Sequence, residues 1–159
     1  MKNKPRFIAP LLVVENMERA RTFYSNVLEL EVIQDFGENI SFEGNFSLHL
    51  RSHFQQLIGG LDVKTGGNDG EIYFEFDDLE SLDKRLKSMQ VEYVHPLREQ
   101  PWRQRVVRFY DPDHHIIEVG ESFPCIFKRL EKDGLPYNEI ARVTLMPVDY
   151  VESCLKKEK

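Results

Sequence analysis

The chain has 159 residues, 41% of them hydrophobic and 30% charged, and a formal net charge of −6. That is enough apolar material for one sizeable core of a soluble globular protein, and the acidic excess excludes a general nucleic-acid binder, whose phosphate affinity comes from clustered Lys and Arg. No run is apolar enough over sufficient length for a bilayer span or a signal peptide, so a cytoplasmic protein with no membrane partner is expected; Cys125 and Cys154 are too few and too far apart for a disulfide framework or a paired-cysteine metal site.

In chain order, Ala9-Pro-Leu-Leu-Val-Val-Glu-Asn16 is expected to be an apolar strand closed by a helix-capping Asn, and Met17 to Leu28 the amphipathic helix that it starts. Three strand-like runs follow, Glu31 to Asp35, Asn39 to Glu43 and Phe46 to Arg51. His53 to Gly70, with Gly59-Gly60, Gly66-Gly67 and Gly70, is expected to be a linker; it lacks the spacing and the Lys-Ser/Thr of a phosphate-cradling loop. The plan then repeats. Glu71-Ile-Tyr-Phe-Glu-Phe-Asp-Asp78 is a strand closed by a capping Asp, Leu79 to Met89 its helix, and Val91 to Leu97, Arg105 to Tyr110 and His115 to Val119 three further strands. Ala9 and Asn16 stand at one common offset from Glu71 and Asp78, which marks two copies of a single β-α-β-β-β unit.

Two segments carry a family resemblance. Asn16-Met-Glu-Arg-Ala-Arg-Thr-Phe-Tyr-Ser-Asn-Val-Leu-Glu-Leu30 and Tyr110-Asp-Pro-Asp-His-His-Ile-Ile-Glu118, set in the doubled plan, resemble the vicinal oxygen chelate superfamily, which holds glyoxalase I, bleomycin-resistance proteins, fosfomycin-resistance enzymes and extradiol dioxygenases. The resemblance covers about residues 6–121. It implies an α+β fold in which paired modules, about 6–52 and 70–121 with a linker at 53–69, form a curved mixed sheet around a concave cavity; it also implies a homodimer and a small-molecule ligand. Glu29-Leu30 departs from the family's Leu-Gly, and His114 stands where Gly usually follows Asp-Pro-Asp, a turn that His tolerates better than most residues.

Alternation along strands assigns side chains to faces. Ile72, Phe74 and Phe76, then Phe46, Leu48 and Leu50, then Ile117 and Val119 are expected against helices. That sends Glu71, Tyr73, Glu75, Ser47, His49, Arg51, Ile116 and Glu118 to the concave side. The family's metal positions correspond to Ala9, His49, Glu71 and Glu118, of which Ala9 cannot coordinate. Two readings follow. In one, His49, Glu71 and Glu118 hold a divalent ion (Zn, Ni, Mn or Fe), with Glu71 and Glu118 the candidate catalytic residues of a lyase, isomerase or dioxygenase acting on a vicinal-oxygen substrate. In the other, a small molecule binds without a full metal site, Tyr73, Trp102, Arg51 and Arg105 are its contacts, and Arg51 and Arg105 neutralise Glu71, Glu75 or Glu118. The neighbours His114 and His115 could share an ion only at an irregular turn.

Residues 122–159 are expected to form a helical extension. Pro124, Pro136 and Pro147 stand where helices can begin and Gly134 where one can end. Ile126, Phe127, Leu130, Ile140, Val143, Leu145, Val151 and Leu155 recur at spacings that would bury one face of each helix. Counted from Glu121, seven basic residues are balanced by seven acidic ones, so no basic face for DNA emerges, and a cap over a sheet edge, a pocket mouth or a dimer contact is expected.

Overall fold

The computed structural model describes residues 4–156; Lys157, Glu158 and Lys159, which enter the charge balance of the extension, lie outside the described residues. The chain forms two compact units, one running through Gly70 and including the loop Asp111–His115, the other made of Glu71–Tyr110 and the chain from Ile116 onward. It is an α+β fold with one four-stranded open mixed sheet in each unit.

The first unit contains β1 (Leu11–Val14), α1 (Met17–Val27), β2 (Val32–Asp35), β3 (Asn39–Phe42), β4 (Phe46–Leu50) and α2 (Arg51–Leu57). Asn16 caps α1 as its residue type demands, its side chain accepting from the Arg19 N–H at 2.9 Å. The sheet order is β1-β4-β3-β2, with β1 parallel to β4 and the other pairs antiparallel. Buried Tyr24 of α1 packs its ring on Phe42 and Phe46, with centroids 5.6 and 5.1 Å away, so α1 lies on the face to which alternation sends Phe46 and Leu48. The opposite face is covered by α2, a correction to the reading of this stretch as a strand end and a glycine linker. Arg51 is the first residue of α2, not the last of a strand, and Phe54 sets its edge against His49 at 5.7 Å. Gly59 and Gly60, with φ of 74° and 81°, end that helix in the left-handed region open to glycine.

The second unit contains β5 (Glu71–Glu75), α3 (Leu79–Ser88), β6 (Tyr93–Glu99), β7 (Arg105–Tyr110), β8 (Ile116–Gly120), α4 (Phe123–Lys132), α5 (Tyr137–Thr144) and α6 (Val148–Lys156). Its sheet repeats the first, in the order β5-β8-β7-β6 with β5 parallel to β8. Asp78 caps α3 through the Ser81 N–H at 3.1 Å. β6 begins two residues later than expected and carries Pro96, which an edge strand with register shifts accommodates. β8 also begins later, because His114 and His115 belong to the preceding turn. Phe76 lies beyond the end of β5 and is 41% exposed, short of the burial expected of it. In the extension Ile126, Phe127, Leu130, Ile140, Val151 and Leu155 form one buried cluster with Val143 packed against it. Leu145 departs from this pattern. It ends α5 in the left-handed region at φ 60° and stays 80% exposed, since the turn it makes points it away from the cluster.

Candidate functional site

In the second unit the two expected acids meet an arginine. Glu71 opens β5, Glu118 is buried in the middle of β8, and the ladder sets Arg108 of β7 directly opposite Glu118. Arg108 donates from Nε to Glu71 at 2.9 Å and pairs its Nη2 with Glu118. This corrects the expected partners. Arg51 instead pairs with Glu15 and donates to the Val63 carbonyl, and Arg105 bonds Glu80 and Glu121. Residue type forecast the neutralisation; the register chose the cation.

Glu121, which sequence reasoning did not single out, is the most enclosed carboxylate of this unit, with no exposed surface. It accepts from the Arg105 N–H at 3.0 Å, from Arg105 Nε at 2.8 Å and from Arg129 Nη2 at 2.8 Å. Burial pushes its carboxyl up, but the hydrogen bonds from Arg129 and Arg105 outweigh that and hold it below the usual carboxylate range. Tyr73 and Trp102 are linked through a second unanticipated residue, buried Gln104. Its amide donates to the Tyr73 hydroxyl at 2.9 Å and to the Glu121 carbonyl at 2.8 Å, and accepts from Trp102 Nε1 at 3.0 Å. A Cβ at Gly120 would come within 2.7 Å of that amide, so glycine leaves the room it needs. Trp102 lines a cavity of about 320 Å³ with Pro101, Arg103, Arg142, Val143 and Leu145.

His49 of the first unit is 7% exposed. Its Nδ1 lies 3.2 Å from the Asn39 amide, its partner across the ladder, and its Nε2 lies 2.9 Å from Nδ1 of His53 on α2. Burial and the nearby His53 charge push the His49 pKa down. As arranged, the donors do not fit a resident metal: Ala9 offers no ligand atom, both ring nitrogens of His49 are engaged, and Glu71 and Glu118 both pair with Arg108. Among the described residues no group of three or more His, Cys, Asp or Glu is placed to hold an ion.

The first unit also holds a cavity of about 350 Å³. β1 gives it Leu11, Leu12 and Val13, α2 gives Phe54 and Ile58, the segment after α2 gives Asp62, Val63, Lys64 and Thr65, and the Asp-Pro-Asp turn gives His115. That turn is built on Asp111, which accepts from the N–H groups of Asp113 and His115 at 2.9 and 2.8 Å and from the Tyr24 hydroxyl at 2.9 Å. His115 Nδ1 lies 2.8 Å from the same carboxylate. His114 takes the positive φ of 62° expected of a residue standing in for glycine. The sequence signal for this cluster was the Phe-Tyr of α1 together with Asp-Pro-Asp-His-His; what was missing was that the two segments meet.

Residues 7–124 match the family described as glyoxalase-like domain. A crystallised protein of unknown function from Agrobacterium tumefaciens strain C58 is 37% identical to the chain, which it covers over 76% while the chain covers 96% of it, with a TM-score of 0.70. A glyoxalase/bleomycin resistance protein/dioxygenase from Nocardioides shares 20% identity over 76% of this chain and 85% of its own, with a TM-score of 0.60. A lactoylglutathione lyase from Agrobacterium tumefaciens shares 20% identity over 75% and 95%, with a TM-score of 0.58. No curated protein matches the chain significantly. Among the described residues, no helix is long and apolar enough to cross a membrane. With the doubled unit, its strand order and the matched span in agreement, the chain belongs to the glyoxalase-like domain family, within the vicinal oxygen chelate superfamily.

Proposed function

We propose that the protein binds a small organic molecule without a resident metal ion. The observation that carries this reading is the first unit's cavity, whose volume of about 350 Å³ lies in the range of small-molecule sites and whose lining joins apolar side chains to the polar Asp62, Lys64, Thr65 and His115. The pairing of Arg108 with both Glu71 and Glu118 supports the absence of a metal, since a cation there would have to displace a guanidinium. Tyr73 and Trp102, tied through Gln104, are proposed as a second contact surface for organic ligands, while Arg51 and Arg105 serve the fold through Glu15 and Glu121. The reading includes a cytoplasmic homodimer, for which the exposed Phe7, Ile33 and Phe36 offer apolar surface.

Elemental analysis of protein purified without chelator tests the metal-free reading. Wild type and His49→Ala are expected to carry equally little Zn, Ni, Mn and Fe. About one ion per chain in wild type, lost in His49→Ala, would establish the metal-dependent lyase, isomerase or dioxygenase instead.

A further inference from the structure

Four hydrogen bonds converge on Asp111, whose side chain is wholly enclosed. An ionised carboxylate only accepts. Tyr24 keeps its proton, because burial and the Asp111 charge push its hydroxyl well above the usual phenol range, and so it donates. The bond at 2.8 Å therefore takes its hydrogen from His115 Nδ1. In a neutral imidazole, which carries one ring N–H, placing that proton on Nδ1 leaves Nε2 as a lone-pair acceptor. His115 is fixed at two points, ring and backbone N–H, on one carboxylate. Among the described residues no protein group takes Nε2, and His115 stands in the cavity wall.

We propose that His115 Nε2 is the recognition acceptor of this cavity and that its ligand is a small neutral molecule with a hydroxyl group on an apolar body. The hydroxyl donates to Nε2, and Leu11, Val13, Phe54 and Ile58 cover the body. Neutrality follows from the remaining charges, since Asp62 and Lys64 share the wall with opposite signs and a carboxylate ligand would face the first as well as the second. The inference rests on the small-molecule reading above and deepens it.

Two probes with one body separate the two ideas: 4-ethylphenol, which can donate, and its methyl ether, which cannot. NMR of the His115 ring nitrogens in wild type at pH 8 is expected to show the Nδ1–H tautomer, with Nε2 shifting on titration with the phenol. The phenol should bind about tenfold more tightly than the ether, the range of one hydrogen bond. His115→Phe should reduce that preference to about twofold while still taking the ether, and Ile58→Trp should exclude both. An Nε2–H tautomer, or equal binding of the two probes to wild type, overturns the role of His115 and leaves the small-molecule reading standing. No binding of either probe sinks both. The wild-type measurements decide the matter even if His115→Phe fails to fold.

Discussion

Glu121 shows what a single enclosed charge demands of its surroundings. Its folded-state pKa is depressed, so the stability it contributes is full above the ordinary carboxylate pKa and is lost as pH falls through the folded value. Glu121→Gln leaves Arg105 and Arg129 facing a neutral group and should cost about 2–4 kcal/mol, near the lower side for a broken buried pair because both arginines keep some water. Urea unfolding at pH 7 measures the loss, and the gap between variant and wild type should narrow below about pH 4. His49 gives a dependence in a different window. Its pKa is lowered in the fold, so the unfolded chain binds the proton more readily and stability should fall as pH drops below the ordinary imidazole value near 6.5. His49→Gln should flatten that limb of the stability–pH curve; an unchanged slope would show that burial beside His53 does not govern the titration.

Elements were legible in the sequence to different degrees, for physical reasons. α1 and α3 announce themselves by Asn16 and Asp78, whose side chains do cap them, and by apolar spacing. α2 gives no such signal: Leu50 makes no side-chain cap, and the helix spans seven residues, too few to stand on propensity alone. Missing α2 meant missing His53 and the cavity wall that Phe54 and Ile58 provide. Arg108 was hidden for another reason. Alternation gives the face of a side chain, but which arginine stands across from Glu118 depends on the register between β7 and β8, which neither strand's own pattern reveals. The extension α4–α6 was legible in kind, its apolar set closing on one cluster with Leu145 as the exception. Phe127, fully buried there, should cost about 3–5 kcal/mol on truncation to Ala. Thermal unfolding checks this; a loss under 1 kcal/mol would mean that the three helices contribute little to the fold.

At the scale of the whole molecule, the doubled unit was plain from two strand-to-cap segments at one offset, and the two sheets do share one strand order. What the repeat concealed is that the copies are not built from equal, consecutive lengths of chain. The first unit borrows Asp111–His115, a hairpin loop between β7 and β8. Asp113 accepts from the Glu15 N–H and pairs with Arg19, and Asp111 takes the hydroxyl of buried Tyr24. A fragment of residues 1–70 would leave that hydroxyl without its acceptor, at about 1–3 kcal/mol for the orphaned group alone. Such a fragment should lack sharp amide dispersion in NMR, and a well-dispersed spectrum would show that the loop is dispensable. On a ribosome, the amino-terminal half therefore emerges unfinished: its last tertiary contacts wait until the codons for His115 have been read, so the half made first cannot be completed first.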